Sequence, residues 1–139
     1  MTTLIFPYKE KRHPVFGQIS RPVLAIDLFV PRFGQWLTVQ DVLADTGADL
    51  SVVPFALGRA FVDEVQAGLP VSLQGSITAV STANAFMHTL TARLGDFQFD
   101  LPIAIALENN VPPILGRRDA LDRFVARFVS GEELVLEVW

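Results

Sequence analysis

Val42-Leu43-Ala44-Asp45-Thr46-Gly47-Ala48-Asp49-Leu50-Ser51-Val52-Val53-Pro54 is the stretch on which the reading of this chain turns. Val42-Leu43-Ala44 reads as the end of a buried strand, and it delivers Asp-Thr-Gly directly. Aspartate is scarce inside sheets and costly to bury without partners, threonine adds a hydroxyl, and glycine lets another backbone come close. A carboxylate set there points to chemistry. The same residue types also favour ordinary turns, so the triplet alone is compatible with a plain bend. Asp41, Asp45 and Asp49 recur every four residues, the spacing of an acidic helical stripe, but Gly47 and the β-rich flanks argue against helix. Nor do they offer the alternating ligands and later glutamate of a calcium loop.

Upstream, Val23 to Val30 and Gln35 to Leu43 are rich in Val, Ile, Leu, Phe and Trp and are separated by Pro31-Arg32-Phe33-Gly34. This predicts a hairpin whose second strand feeds the Asp45 turn. Downstream, Pro54 can open a helix at its first turn, and the mixed apolar spacing of Phe55 to Val65 predicts one that Gly68-Leu69-Pro70 ends. Val71 to Val80 and Ala85 to Leu94 predict a second hairpin, with Ser81-Thr82-Ala83-Asn84 between its strands. Phe97 to Leu107 alternates and then becomes continuously apolar, as a strand entering a core does, until Asn109-Asn110 and Pro112-Pro113. Arg117 to Phe124 holds enough helix formers for about two turns. Val125 to Val129 and Leu134 to Val138 flank Ser130-Gly131-Glu132 as a last hairpin.

With 139 residues the chain has material for a single domain with one substantial core, spanning residues 1–139. Half of the residues are hydrophobic and only 19% are charged, with a mean hydropathy of +0.38. That is more apolar material than a small water-facing monomer usually carries, so some of it is expected between subunits. A net charge of -4 and a pI near 5.0, with Lys and Arg scattered, give no footprint for nucleic acid. Without cysteine there is no disulfide, thiolate nucleophile or cysteine-based metal site. His13 and His88 stand far apart with no second ligand at metal spacing, and no serine sits in a Gly-x-Ser-x-Gly elbow. Zinc and Ser-His-Asp chemistry are therefore discounted. The N-terminal segment turns charged at Lys9-Glu10-Lys11-Arg12 without a signal-peptide apolar segment, and no run approaches membrane-spanning length. A cytoplasmic protein with no membrane contact is the expectation.

Asp45-Thr46-Gly47, with Ala48-Asp49 after it and Ser51-Val52-Val53-Pro54 beyond, resembles the active-site loop of the retropepsin family. These are the single-domain aspartic proteases of retroviruses and their cellular and bacterial relatives. A second match is Pro113-Ile114-Leu115-Gly116-Arg117, similar to the apolar-apolar-Gly element that the family places just before its short C-terminal helix. The resemblance implies an all-β, mainly antiparallel acid-protease barrel with one short C-terminal helix. It implies an aspartic-type endopeptidase, a hydrolase needing no cofactor and no metal. It also implies roles. Asp45 would be the catalytic acid/base, Thr46 would brace two loops across a twofold axis, and Gly47 would offer its carbonyl to an extended substrate. Ala48 would line the same cleft. Asp49 would pair with Arg117 near the dimer contact, with Arg118 and Arg123 as competing partners. Ile114, Leu115 and Gly116 would cross beneath the loop, the glycine leaving room for close packing.

A lone carboxylate ionised at neutral pH can act as a base but cannot also supply a proton, whereas two held a few ångströms apart share one. The chain has one Asp-Thr-Gly, so this mechanism requires a second copy, a homodimer acting on a peptide or protein in extended conformation. The hairpin at 71–94 is then the expected flap, although its tip lacks the glycines frequent in the family. Leu134 to Val138 would join an intersubunit sheet or lie as an ordinary edge strand. The rival reading is a non-catalytic dimeric module that keeps the scaffold to bind peptides or proteins. A third is a monomeric β-rich small-ligand domain in which Asp45 only shapes a turn.

Overall fold

The computed structural model describes residues 2–74 and 82–138. In chain order the elements are β1 (Thr2–Pro7), β2 (Lys9–His13), β3 (Gly17–Arg21), β4 (Val23–Val30), β5 (Gln35–Ala44), β6 (Ser51–Val53) and α1 (Phe55–Gly58). There follow β7 (Leu69–Gln74), β8 (Thr82–Leu94), β9 (Phe97–Ala106), β10 (Ile114–Leu115), β11 (Val125–Val129) and β12 (Glu133–Val138). Single turns of 3-10 helix lie at Val65–Ala67 and Leu121–Arg123. The largest sheet runs β4-β5-β10-β6-β9-β8-β7, and β8 returns to β4 through Asp27↔Arg93 and Leu28↔Ala92. Six strands therefore close a barrel, with β7 attached outside it, the all-β architecture expected. Closure removes the free edges that β4 and β8 would otherwise present.

Alternation explains how the barrel fills. Along β4, Leu24, Ile26, Leu28 and Val30 are buried while the residues between them are half-exposed. Inward side chains of β5, β8 and β9, among them Val42, Leu94, Leu101 and Ile105, meet them in one core. On the outer face, Asp27 of β4 accepts the Thr38 hydroxyl at 2.5 Å and Arg93 Nε and Nη2 at 3.1 and 3.0 Å. The Arg93 guanidinium also covers the Trp36 ring at 4.2 Å. The Thr38 hydroxyl, and after it the Arg93 guanidinium, hold the Asp27 carboxyl below the usual aspartate range against the opposing push of burial. A carboxyl with a lowered folded-state pKa adds stability that is complete above the unfolded-state value and is lost as the pH falls through the folded one. Asp27→Asn is thus expected to cost about 1 kcal/mol in urea unfolding at pH 7. The gap to wild type should shrink below about pH 4, where the ordinary aspartate begins to protonate. A gap that persisted unchanged in acid would contradict this account.

The sequence-based boundaries hold for β4 and β11, lie within one residue for β5, β9 and β12, and shift elsewhere for identifiable reasons. The helix expected from Phe55 to Val65 is one turn: past Gly58, which packs so closely on Ile105 that an added Cβ would lie 2.3 Å from its Cγ2, the backbone bonds tighten to Ala60 N–H on Leu57 and Phe61 N–H on Gly58. The chain bends there, and Phe61 and Val65 anchor it to the core separately. The short C-terminal helix is present as the 3-10 turn Leu121–Arg123, since Asp119 takes a left-handed φ of 51° that an α-helix cannot include. Thr82, Ala83 and Asn84 belong to β8 and not to a hairpin tip: they pair with Gln74, Leu73 and Ser72. The connection between β7 and β8, with Gly75 and Ser81, lies outside the described residues.

Two N-terminal features have no counterpart in the sequence reading. β2 and β3 form a separate two-stranded hairpin, and β1 adds to β12 from Thr2↔Val138 to Pro7↔Glu133. Because β11 pairs along its other side, β12 is the central strand of a β1-β12-β11 sheet. It is neither an edge strand nor open to pairing with another chain. Among the described residues no helix is long and apolar enough to cross a membrane.

Candidate active site

β5 ends at Ala44, and its last backbone groups are already committed. Leu43 N–H donates to the Pro113 carbonyl at 3.0 Å, Ala44 N–H to Pro22 at 2.9 Å, and Asp45 N–H to Leu115 at 3.0 Å. Asp45 therefore leaves the sheet from a backbone held on two sides. Ala48 N–H then closes the turn on the Asp45 carbonyl at 3.2 Å. Gly47 N–H donates to Asp45 Oδ1 at 2.8 Å, fixing one carboxylate oxygen beside the loop backbone. Asp45 is half-buried, while Thr46 and Gly47 are exposed. Among the described residues no group bonds Oδ2. The carboxylate is oriented by the loop and still open to a second partner.

Beneath the loop runs β10, parallel to β5 through Ile114↔Leu43 and Leu115↔Ala44, and antiparallel to β6 through Ile114↔Val52. The next residue, Gly116, passes so near the loop that an added Cβ would lie 2.4 Å from the Leu50 carbonyl oxygen and 2.9 Å from that of Ala48. Only a residue without a side chain fits. Its N–H donates to Ser51 Oγ at 3.0 Å, and Ser51 is fully buried. Ser51 lies outside the site residues expected from sequence. The available signal was a lone hydroxyl in an apolar run, which buried must find a partner. Gly116's carbonyl accepts from Leu121 N–H at 3.0 Å, tying the crossing to the 3-10 turn.

Arg117 N–H and Arg118 N–H donate to the carbonyls of Ala48 and Asp49, each at 3.0 Å. Of the three arginines considered as partners, Arg117 carries its guanidinium onto the Asp49 carboxylate. Arg123 turns instead to the carbonyls of Asp119 and Asp100. The Asp49 side chain is 81% exposed and that of Arg117 48%, so the ion pair adds little stability beside the backbone bonds around it. The structure thus gathers Asp45, Thr46, Gly47, Ala48 and Asp49 over Ile114, Leu115, Gly116 and Arg117. Val52, Ala85, Ala104 and Ala106 form a small buried cluster, with Val71, Leu73 and Met87 of the β7–β8 hairpin and Val111 packed on it. Among the described residues no three His, Asp or Glu side chains are grouped to hold a metal ion.

No family model and no curated protein matches the chain. Among solved structures it is similar to a retropepsin-like aspartic protease from Rickettsia conorii, with a TM-score of 0.53 at 19% identity over 98% of this chain and 94% of that one. It also matches EIAV protease complexed with the inhibitor HBY-793, with a TM-score of 0.48 at 21% identity over 76% of this chain and 86% of that one. The chain has a retropepsin-like fold.

Proposed function

We propose that this chain is an aspartic endopeptidase, one retropepsin-like domain per chain, active as a homodimer in which each chain supplies one Asp45. The observation that carries this reading is the seating of the Asp45 carboxylate: Oδ1 is held by Gly47 N–H, and the loop stands on Gly116. Two such carboxylates facing each other share one proton. The ionised one takes a proton from a bound water as the water oxygen attacks the scissile carbonyl carbon. The protonated one gives its proton to the carbonyl oxygen. The tetrahedral diol then collapses, the C–N bond breaks, and the nitrogen leaves with a proton returned by the pair. Thr46 braces the two loops, and Gly47 and Ala48 hold the substrate backbone in an extended pose. Asp49 and Arg117 stiffen the loop at the subunit boundary.

A peptide carrying a hydroxyl-bearing tetrahedral isostere in place of the scissile amide is expected to saturate at one molecule per two chains, measured by titration calorimetry. The same dimer should cleave the parent peptide. Saturation at one per chain would refute the shared site, and binding without turnover from acid to neutral pH would leave the non-catalytic module.

A further inference from the structure

Residues 9–21 form an arm that the barrel does not account for. β2 and β3 pair only with each other, and a lone two-stranded hairpin is marginal in water. Its tip is nevertheless built. His13 Nδ1 accepts the N–H groups of Val15 and Phe16 at 3.1 and 3.2 Å, and the His13 ring stacks on Phe16 at 5.0 Å. Val15 and Phe16 stand 75% and 72% exposed, the most exposed large hydrophobics among the described residues. The shaft carries Lys9, Lys11, Arg12 and Arg21 against Glu10, a net charge of +3 in a chain of -4, so the remainder carries -7. Lys9 is spent on Asp41 at 2.9 Å; Lys11, Arg12 and Arg21 make no ion pair among the described residues. The arm roots at the candidate site, since Pro22, which follows it, accepts Ala44 N–H at 2.9 Å.

A surface of the opposite character lies on the terminal sheet. Leu134 and Leu136 of β12 turn into the core, so the alternate positions Glu133, Val135 and Glu137, with the residues paired to these on β1 and β11, form the outer face. There Ile5, Val125 and Val129 are 57%, 40% and 36% exposed. Arg127 is neutralised by Glu137 at 2.5 Å, whereas Glu132 and Glu133 at the adjoining turn have no cationic partner among the described residues. We propose that in the dimer each arm lies across the outer face of the partner's terminal sheet. Val15 and Phe16 cover Ile5, Val125 and Val129, and Lys11 and Arg12 face Glu132 and Glu133. The contact is made twice about one twofold axis, so it closes at two chains. The choice of a second copy as occupant rests on the dimeric reading above. The opposite charges of arm and body, and the apolar patch at each end, supply the complementarity.

Sedimentation of the full chain tests the clasp. Wild type should form dimers that weaken as salt rises. Lys11→Glu with Arg12→Glu should weaken the dimer at least about tenfold, as should Glu132→Lys with Glu133→Lys, and all four together should recover wild-type affinity to within about threefold. Val15→Ser with Phe16→Ser should weaken it without moving the urea midpoint. A wild type that stays monomeric, reversals without effect, or a quadruple variant that fails to recover would overturn the clasp. So would arm variants that remain dimeric and lose only the cleavage of acidic peptides, which would make the arm a substrate rail. An arm-dependent dimer that cleaves nothing would sink the peptidase reading alone; arm variants that stay dimeric and active would sink the clasp alone.

Discussion

Asp45→Asn is expected to lower peptide hydrolysis by at least about a thousandfold while leaving the fold intact, because groups that act as one catalytic unit fail together when either is removed. Such a loss corresponds to roughly 4 kcal/mol of transition-state stabilisation. The substitution is conservative in shape. An asparagine carbonyl can still accept the Gly47 N–H that now reaches Asp45 Oδ1 at 2.8 Å, so the loop keeps its turn. What disappears is a group that can hold and release a proton. Mixing offers a sharper check than the variant alone. If variant and wild-type chains assort randomly, adding an equal amount of Asp45→Asn should reduce the activity per wild-type chain to about half, since mixed dimers hold one competent carboxylate. Activity retained by the variant, or unaffected by mixing, would remove Asp45 from the chemistry or the second chain from the site.

Gly116→Ala should be a severely damaging single-methyl change, destabilising the chain by about 3 kcal/mol or more in urea unfolding. The new Cβ meets the Leu50 carbonyl oxygen at 2.4 Å, its carbon at 2.6 Å and the Ala48 carbonyl oxygen at 2.9 Å. All three are backbone atoms, so no side chain can swing aside. Either β10 separates from the loop, losing the Ser51 Oγ bond at 3.0 Å, or the loop rises and carries Asp45 with it. Folded Gly116→Ala is therefore expected to be impaired in hydrolysis as well. Stability within about 0.5 kcal/mol of wild type would show that the crossing is looser than these distances state.

How far the sequence could be read depended on whether a feature is local. The β4–β5 hairpin was legible because Pro31 and Gly34 bracket the turn, and Gly34 takes the left-handed φ of 61° that few other residues tolerate. The Asp45 loop and the Gly116 crossing were legible as two short patterns in the right order. β2 was not. Lys-Glu-Lys-Arg-His has no apolar alternation, and it is held by pairing with β3 and by the turn around His13. Thr82 to Asn84 read as a tip because small polar residues favour turns, but their pairing with Ser72 to Gln74 keeps them in a strand. The place of β12 between β1 and β11 joins opposite ends of the chain, which no window of sequence spans. Ser51 gains its significance only from the Gly116 N–H, 65 residues further on.

That distance along the chain also orders events in time. A ribosome releases the Asp-Thr-Gly loop long before it makes the segment on which the loop rests, and contacts of such long range form late. Until β10 slides between β5 and β6, the Asp45 N–H has no Leu115 carbonyl to meet and Ser51 has no Gly116 to hold. A nascent chain thus carries its Asp-Thr-Gly loop without the strand that supports it. The loop that seats the aspartate is complete only once synthesis has passed Gly116.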